Sequence, residues 1–117
     1  MKLVIAGGRD FVPTARDWDR LDSVRITQAW KGNPIIEVIS GKARGADTFG
    51  EEWARRRGIA VAEYPADWDH YGKAAGHIRN NMMAQRADAV LLFPGGSGTA
   101  NMFQQAVRYG LTIFDWR

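Results

Sequence analysis

What most restricts the fold of this chain is a recurring alternation of short, continuous apolar runs with longer stretches of helical spacing. The runs are Leu3 to Ala6, Ile35 to Ile39, Ala60 to Tyr64, Ala89 to Phe93 and Leu111 to Phe114. Each has the length of a strand, and most are apolar at consecutive positions, the pattern of strands covered on both faces. Between them, Ala15 to Trp30, Ala46 to Arg57, Gly72 to Arg86 and Thr99 to Tyr109 read as helices. In the second of these, Ala46, Phe49, Trp53 and Ala54 share one face, and Asp47 lies in the first turn, where the helix dipole favours a carboxylate. This alternation, with crossovers of a dozen or more residues, predicts a parallel sheet with right-handed connections. The expectation is an α/β fold: one Rossmann-like, doubly wound, mostly parallel five-stranded sheet with helices on both faces, residues 1–117 forming one domain.

Punctuation agrees with this reading. Gly32-Asn33-Pro34 makes a turn before the second strand, and Gly58 and Gly110 stand where left-handed helix caps are expected. A net charge of +3 suits a phosphate-bearing ligand but lacks the dense basic block of a dedicated nucleic-acid binder, so nucleic acid is not the expected partner. Arg55 to Arg57 read as a solvated helix end whose cations complement the dipole. Cysteine is absent, which removes disulfides, thiolate metal sites and cysteine nucleophiles together. The first apolar run is too short for a signal-peptide core or a membrane span, so a cytoplasmic protein with no membrane association is expected.

In an open α/β sheet the ligand crevice lies beyond the carboxyl ends of the strands, and three unusual loops all follow strands. The most specific is Pro94-Gly95-Gly96-Ser97-Gly98-Thr99: glycines that admit a close approach, then a helix start whose free N–H groups form an anion site. The hydroxyls of Ser97 and Thr99 add donors; the plainer alternative is a tight turn with one of them as N-cap. Gly7-Gly8-Arg9-Asp10 lacks the third glycine of a dinucleotide fingerprint, so a simple NAD site is not expected. There Arg9 can fork onto a phosphate, and Asp10 can accept a sugar hydroxyl or hold Arg9. In the loop Ser40-Gly41-Lys42-Ala43-Arg44-Gly45-Ala46-Asp47 the Gly-Lys-Ser/Thr ending of a P-loop is missing; Asp47 either binds a ligand hydroxyl or favours its helix start. A fourth polar and aromatic segment, Pro65 to Asn80, offers Trp68 and Tyr71 for stacking on a base, or for packing, with Arg79 and Asn80 aimed at a phosphate. His70 and His77 have no third partner for a metal, and no cofactor is required.

The stretches Gly76-His77-Ile78-Arg79-Asn80, Ala87-Asp88-Ala89 and Pro94 to Thr99 resemble the SLOG superfamily, which includes cytokinin-activating phosphoribohydrolases, the DNA-processing protein DprA and nucleotide-sensing domains of TRPM channels. Gly7-Gly8-Arg9-Asp10-Phe11, Ser40-Gly41 with Gly45-Ala46-Asp47, and Ile78-Arg79-Asn80 are most similar to its small bacterial and phage YspA-type branch. The resemblance implies a Rossmann-like fold with the glycine loop, Pro94 to Thr99 and on to Asn101, against phosphate. It also implies a homodimer or higher homo-oligomer, for which Phe103, Tyr109 and Trp116 are candidate interface residues. In the phosphoribohydrolases a glutamate in this loop's helix and an upstream arginine cleave base from ribose phosphate. Arg79 matches the arginine, but Met102 stands at the glutamate position, and a thioether neither abstracts a proton nor stabilises an oxocarbenium ion.

Three readings follow. The first is a module that senses or sequesters a nucleotide-derived small molecule. The second is an N-glycosidic hydrolase using Arg79 with Asp10 or Asp47 as a nonstandard carboxylate. The third, ranked last, is a single-strand binder using Arg9, Lys42, Arg44 and Arg79.

Overall fold

A computed structural model describes all residues, 1–117. The five strands are β1 (Lys2–Ala6), β2 (Glu37–Ser40), β3 (Ala60–Glu63), β4 (Ala89–Leu92) and β5 (Thr112–Asp115). They form one sheet in the order β3-β2-β1-β4-β5, and every pairing is parallel. The helices are α1 (Ala15–Trp30), α2 (Ala46–Arg56), α3 (Trp68–Tyr71), α4 (Ala75–Arg86) and α5 (Ser97–Arg108). No helix is long and apolar enough to cross a membrane.

The consecutive apolar positions of β1 and β4 serve two cores. Leu3, Ile5, Ala89 and Leu91 face α1 and α2, packing with Leu21, Phe49, Trp53 and Ala54. Val4, Ala6, Val90 and Leu92 face α4 and α5, packing with Met83, Ala84, Met102 and Ala106. Period-two side-chain alternation thus divides one apolar run between two helix layers. Trp53 is fully buried, and its indole N–H donates to Asp22 Oδ1 at 2.9 Å, so the largest core side chain leaves no polar atom unsatisfied.

Helix α1 starts with a reciprocal cap in which the Thr14 N–H donates to Asp17 Oδ2 at 2.8 Å. The arginines at the end of α2 are paired rather than merely solvated. Arg55 meets Glu51 and Glu63, Arg56 meets Glu52, and Arg57 forks onto Asp22 at 2.7 and 2.8 Å.

Some boundaries differ from the sequence expectation. β2 starts at Glu37, after the buried Ile35, and α5 starts at Ser97, two residues before Thr99. The stretch from Gly72 to Arg86 is not a single α-helix. Gly72 (φ +56) opens a 3-10 turn through Ala74, and α4 begins only at Ala75. Just before it, Asp67 caps the short α3 by accepting the His70 N–H at 3.1 Å.

Candidate functional site

Strand order decides where a site can form. From β1 the chain moves outward to β2 and β3, then returns to the other side of β1 for β4 and β5, so the crossovers separate at the carboxyl ends of β1 and β4. The loop after β1 is stitched to both of its neighbours: the Gly8 N–H donates to the Pro94 carbonyl after β4 at 2.8 Å, and the Gly8 carbonyl accepts from the Ala46 N–H after β2 at 3.2 Å. Two glycines permit this approach. Gly45 has φ +77, and a β-carbon there would lie 2.3 Å from the Gly8 carbonyl oxygen; one on Gly95 would lie 2.6 Å from Gly8 N and 2.2 Å from Thr99 Oγ1.

Above this junction is a cavity of about 440 Å³. Of the residues singled out in the sequence, Gly7, Gly8, Arg9, Asp47, Trp68, Arg79, Asn80, Gly96, Ser97, Gly98 and Thr99 line it together. The others lie elsewhere. Asp10 is fully exposed, 4.0 Å from Arg44. Ser40 is buried and gives its hydroxyl to Glu51 at 2.6 Å. Gly41, Gly45, Pro94 and Gly95 shape the walls from behind, and Asn101 accepts from Asn80 Nδ2 at 3.0 Å. Of the candidate interface residues, Trp116 and Phe103 are half-buried against the two cores, while the Tyr109 hydroxyl accepts from Asn81 at 2.9 Å.

The helix α5 end of the cavity is built from donors. Its N-cap is Gly96, and the N–H groups of Ser97, Gly98 and Thr99 have no acceptor in the chain, because the first bond of the helix runs from Ala100 N–H to the Gly96 carbonyl. Thr99 is 5% exposed, and its hydroxyl also has no partner in the chain although it lines the cavity.

Arg79 is the best anchored cation. Its Nε donates to Asn80 Oδ1 at 2.9 Å and its Nη1 to the Gly41 carbonyl, while Asn80 Nδ2 donates to the Gly98 carbonyl at 3.1 Å. One Arg-Asn pair therefore joins the loops after β2 and β4. Burial lowers the Arg79 pKa, and Asp47 opposes that shift. Asp47 is the only carboxylate lining the cavity. Burial pushes it up to about 6, against the pull of the Ala43 N–H and of Arg79, with Glu51 adding to the rise.

The cavity is also lined by Gly76, His77 and Met102, which the family resemblance draws in without a ligand role, and by Ala6, Lys73 and Met83, which no motif singles out. Lys73, Gly76 and His77 belong to the polar segment already marked as unusual, so their position was within reach of the sequence. Met83 and Met102, 2% and 1% exposed, form an apolar floor with Ala6; in the sequence Met83 looks like ordinary core, while Met102 stands at the glutamate position of the resembling loop. No cluster of three or more histidine and carboxylate side chains is placed to hold a metal ion.

Residues 1–71 match the YspA, cpYpsA-related SLOG family. The chain belongs to that family. The Gene 61 protein of Mycobacterium phage D29 is 31% identical over 123 residues, spanning 98% of this SLOG chain and 95% of the phage protein. Two solved structures share its fold. DNA processing protein A (DprA) from Streptococcus pneumoniae superposes with a TM-score of 0.69 at 16% identity, over 97% of this chain but 49% of DprA. The structural-genomics target TM1055 superposes with a TM-score of 0.68 at 21% identity, over 96% of this chain and 71% of that one. The protein is thus a Rossmann-like SLOG module, spanning about half the length of DprA.

Proposed function

We propose that the cavity binds a nucleotide or nucleotide-derived small molecule, with a phosphate at the start of α5 and the base against Trp68. The observation that carries this reading is the group of unused donors at one end of the cavity. Three N–H groups and the hydroxyl of Thr99, open to the cavity, converge there without a partner. A helix start offers the tetrahedral anion both hydrogen bonds and a favourable dipole. Arg9, Lys73 and Arg79 supply positive charge around the same space, and Trp68, half exposed at its edge, offers a face for a base.

One observation favours the hydrolase as a second reading. Met102 at the floor removes the glutamate of the phosphoribohydrolases, but Asp47 supplies a buried carboxylate in the same cavity, pushed up to about 6, in the range where a group both takes and returns a proton. Asp10, exposed and outside the lining, is the weaker candidate for that role.

The test is a thermal-shift and native mass-spectrometry titration with AMP, ADP, ADP-ribose, inorganic phosphate and adenosine. Binding of phosphate-bearing ligands, reduced in Arg79→Ala and absent for adenosine, supports the reading. No stabilisation by any of them overturns it. Free adenine in the AMP sample, lost in Asp47→Asn, would establish the hydrolase.

A further inference from the structure

The two charges anchored deepest in the cavity, Arg79 and Asp47, both rest on one short turn after β2. Arg79 Nη1 donates to the Gly41 carbonyl, and Asp47 Oδ2 accepts the Ala43 N–H at 3.2 Å. Gly41 has no room to spare: a β-carbon there would lie 2.6 Å from Arg79 Nη1 and 2.9 Å from Asp47 Oδ2. A shift of this turn therefore moves both side chains.

The turn is held from behind by Glu51, one helical turn after Asp47 on α2. Glu51 is 4% exposed. Its Oε2 accepts the Ser40 hydroxyl at 2.6 Å, and its Oε1 accepts Lys42 Nζ and Arg55 Nη1, each at 3.1 Å. Ser40 Oγ in turn accepts the Lys42 N–H at 3.1 Å. Lys42 is the one non-glycine residue with positive φ, at +61, a conformation that persists only where surrounding contacts over-determine it. Glu51 provides those contacts: it binds the Lys42 side chain directly and the Lys42 backbone through Ser40.

We propose that Glu51 is a positioning residue for the anionic ligand, fixing the Ser40–Ala43 turn so that the Gly41 carbonyl aims Arg79 and the Ala43 N–H aims Asp47 into the cavity. Ser40 and Lys42 then serve the site from its far side through their bonds to Glu51, and Gly41 serves it by holding Arg79. This inference rests on the cavity being an anion site, but the positioning itself is present without ligand and can be read that way.

The experiment is NMR on the ligand-free protein, followed by titration with inorganic pyrophosphate, for wild type, Glu51→Gln and the control Glu52→Gln, whose ion pair with Arg56 is exposed. In Glu51→Gln the Arg79 guanidinium N–H groups should exchange with solvent about tenfold faster. The Asp47 titration midpoint should rise above its wild-type value of about 6, because the Ala43 N–H and Arg79, which hold it down, each outweigh the Glu51 charge that raises it. Pyrophosphate affinity should drop about tenfold, the size of one charge-assisted hydrogen bond. Glu52→Gln should match wild type in all three. If Glu51→Gln does not fold, Ser40→Ala cuts the link to the Lys42 backbone with little change in volume and should show the same faster Arg79 exchange. A folded Glu51→Gln with wild-type Arg79 exchange and Asp47 titration overturns the proposal, as does a folded Ser40→Ala with wild-type Arg79 exchange where it stands in. Should both ligand-free readouts move while wild type binds no pyrophosphate, the positioning role stands and the anion reading falls.

Discussion

Replacing Thr99 by valine separates a ligand donor from a structural one. Thr99 is 5% exposed, it lies in the first turn of α5, and its hydroxyl has no partner in the chain. Valine keeps the shape and removes the oxygen. A hydroxyl with a protein partner is worth about 1 kcal/mol, and breaking that bond would destabilise by at least as much. A hydroxyl waiting for a ligand contributes nothing to the ligand-free fold, and replacing it relieves part of its desolvation. Thr99→Val should therefore leave stability unchanged or raise it by up to about 1 kcal/mol, a rise in Tm of no more than about 4 °C for a domain of this size. Nucleotide affinity should fall, since a hydrogen bond to a charged phosphate is worth about 1.5–3 kcal/mol, or roughly 10- to 100-fold. Calorimetric unfolding and titration calorimetry on the same preparation measure both. A variant destabilised by more than about 1 kcal/mol with unaltered affinity would refute the reasoning.

Other variants test the walls and charges of the site. Gly45→Ala combines a glycine-only conformation with a β-carbon 2.3 Å from the Gly8 carbonyl, so it should cost about 2–4 kcal/mol in urea unfolding even without ligand. Asp47 is raised by burial from 3.8 to about 6, so the native state retains a proton that the unfolded chain has already released between those values. The stability this gives is complete below 3.8 and lost as pH rises through 6. Asp47→Asn should accordingly be more stable than wild type at pH 7, by at most about 3 kcal/mol, and equal to it below pH 3.8. Denaturant midpoints across that range check the sign. Arg79→Lys keeps the charge but cannot bond Asn80 and the Gly41 carbonyl together, so ADP-ribose affinity should fall about tenfold or more in titration calorimetry.

The fold was legible because its signal is local and repeated: five apolar runs, each followed by or preceding a helical stretch, admit few arrangements other than a parallel sheet. Much of the lining was legible for a related reason, since glycine loops after strands converge at the switch point whatever their detail. What escaped depends on which way a side chain points. Ser40 and Asp47 belong to the same loop-and-helix segment, yet Ser40 is drawn behind the wall by Glu51 while Asp47 faces the cavity. Asp10 follows Arg9 directly, and only Arg9 lines the cavity. Glu51 itself looks like any polar helix residue; nothing in its neighbours reveals that three donors surround it. The left-handed Lys42 was equally hidden, because lysine has no preference for that conformation.

The central claim is that the start of α5 receives a phosphate. Backbone amide NMR during titration with AMP, and separately with adenosine, tests it most directly. The account predicts large saturating shifts of the Ser97, Gly98 and Thr99 amides with AMP, absent with adenosine and lost in Gly96→Asp. Amide shifts that are the same for both ligands, or AMP-induced shifts that avoid residues 97–99, would contradict it.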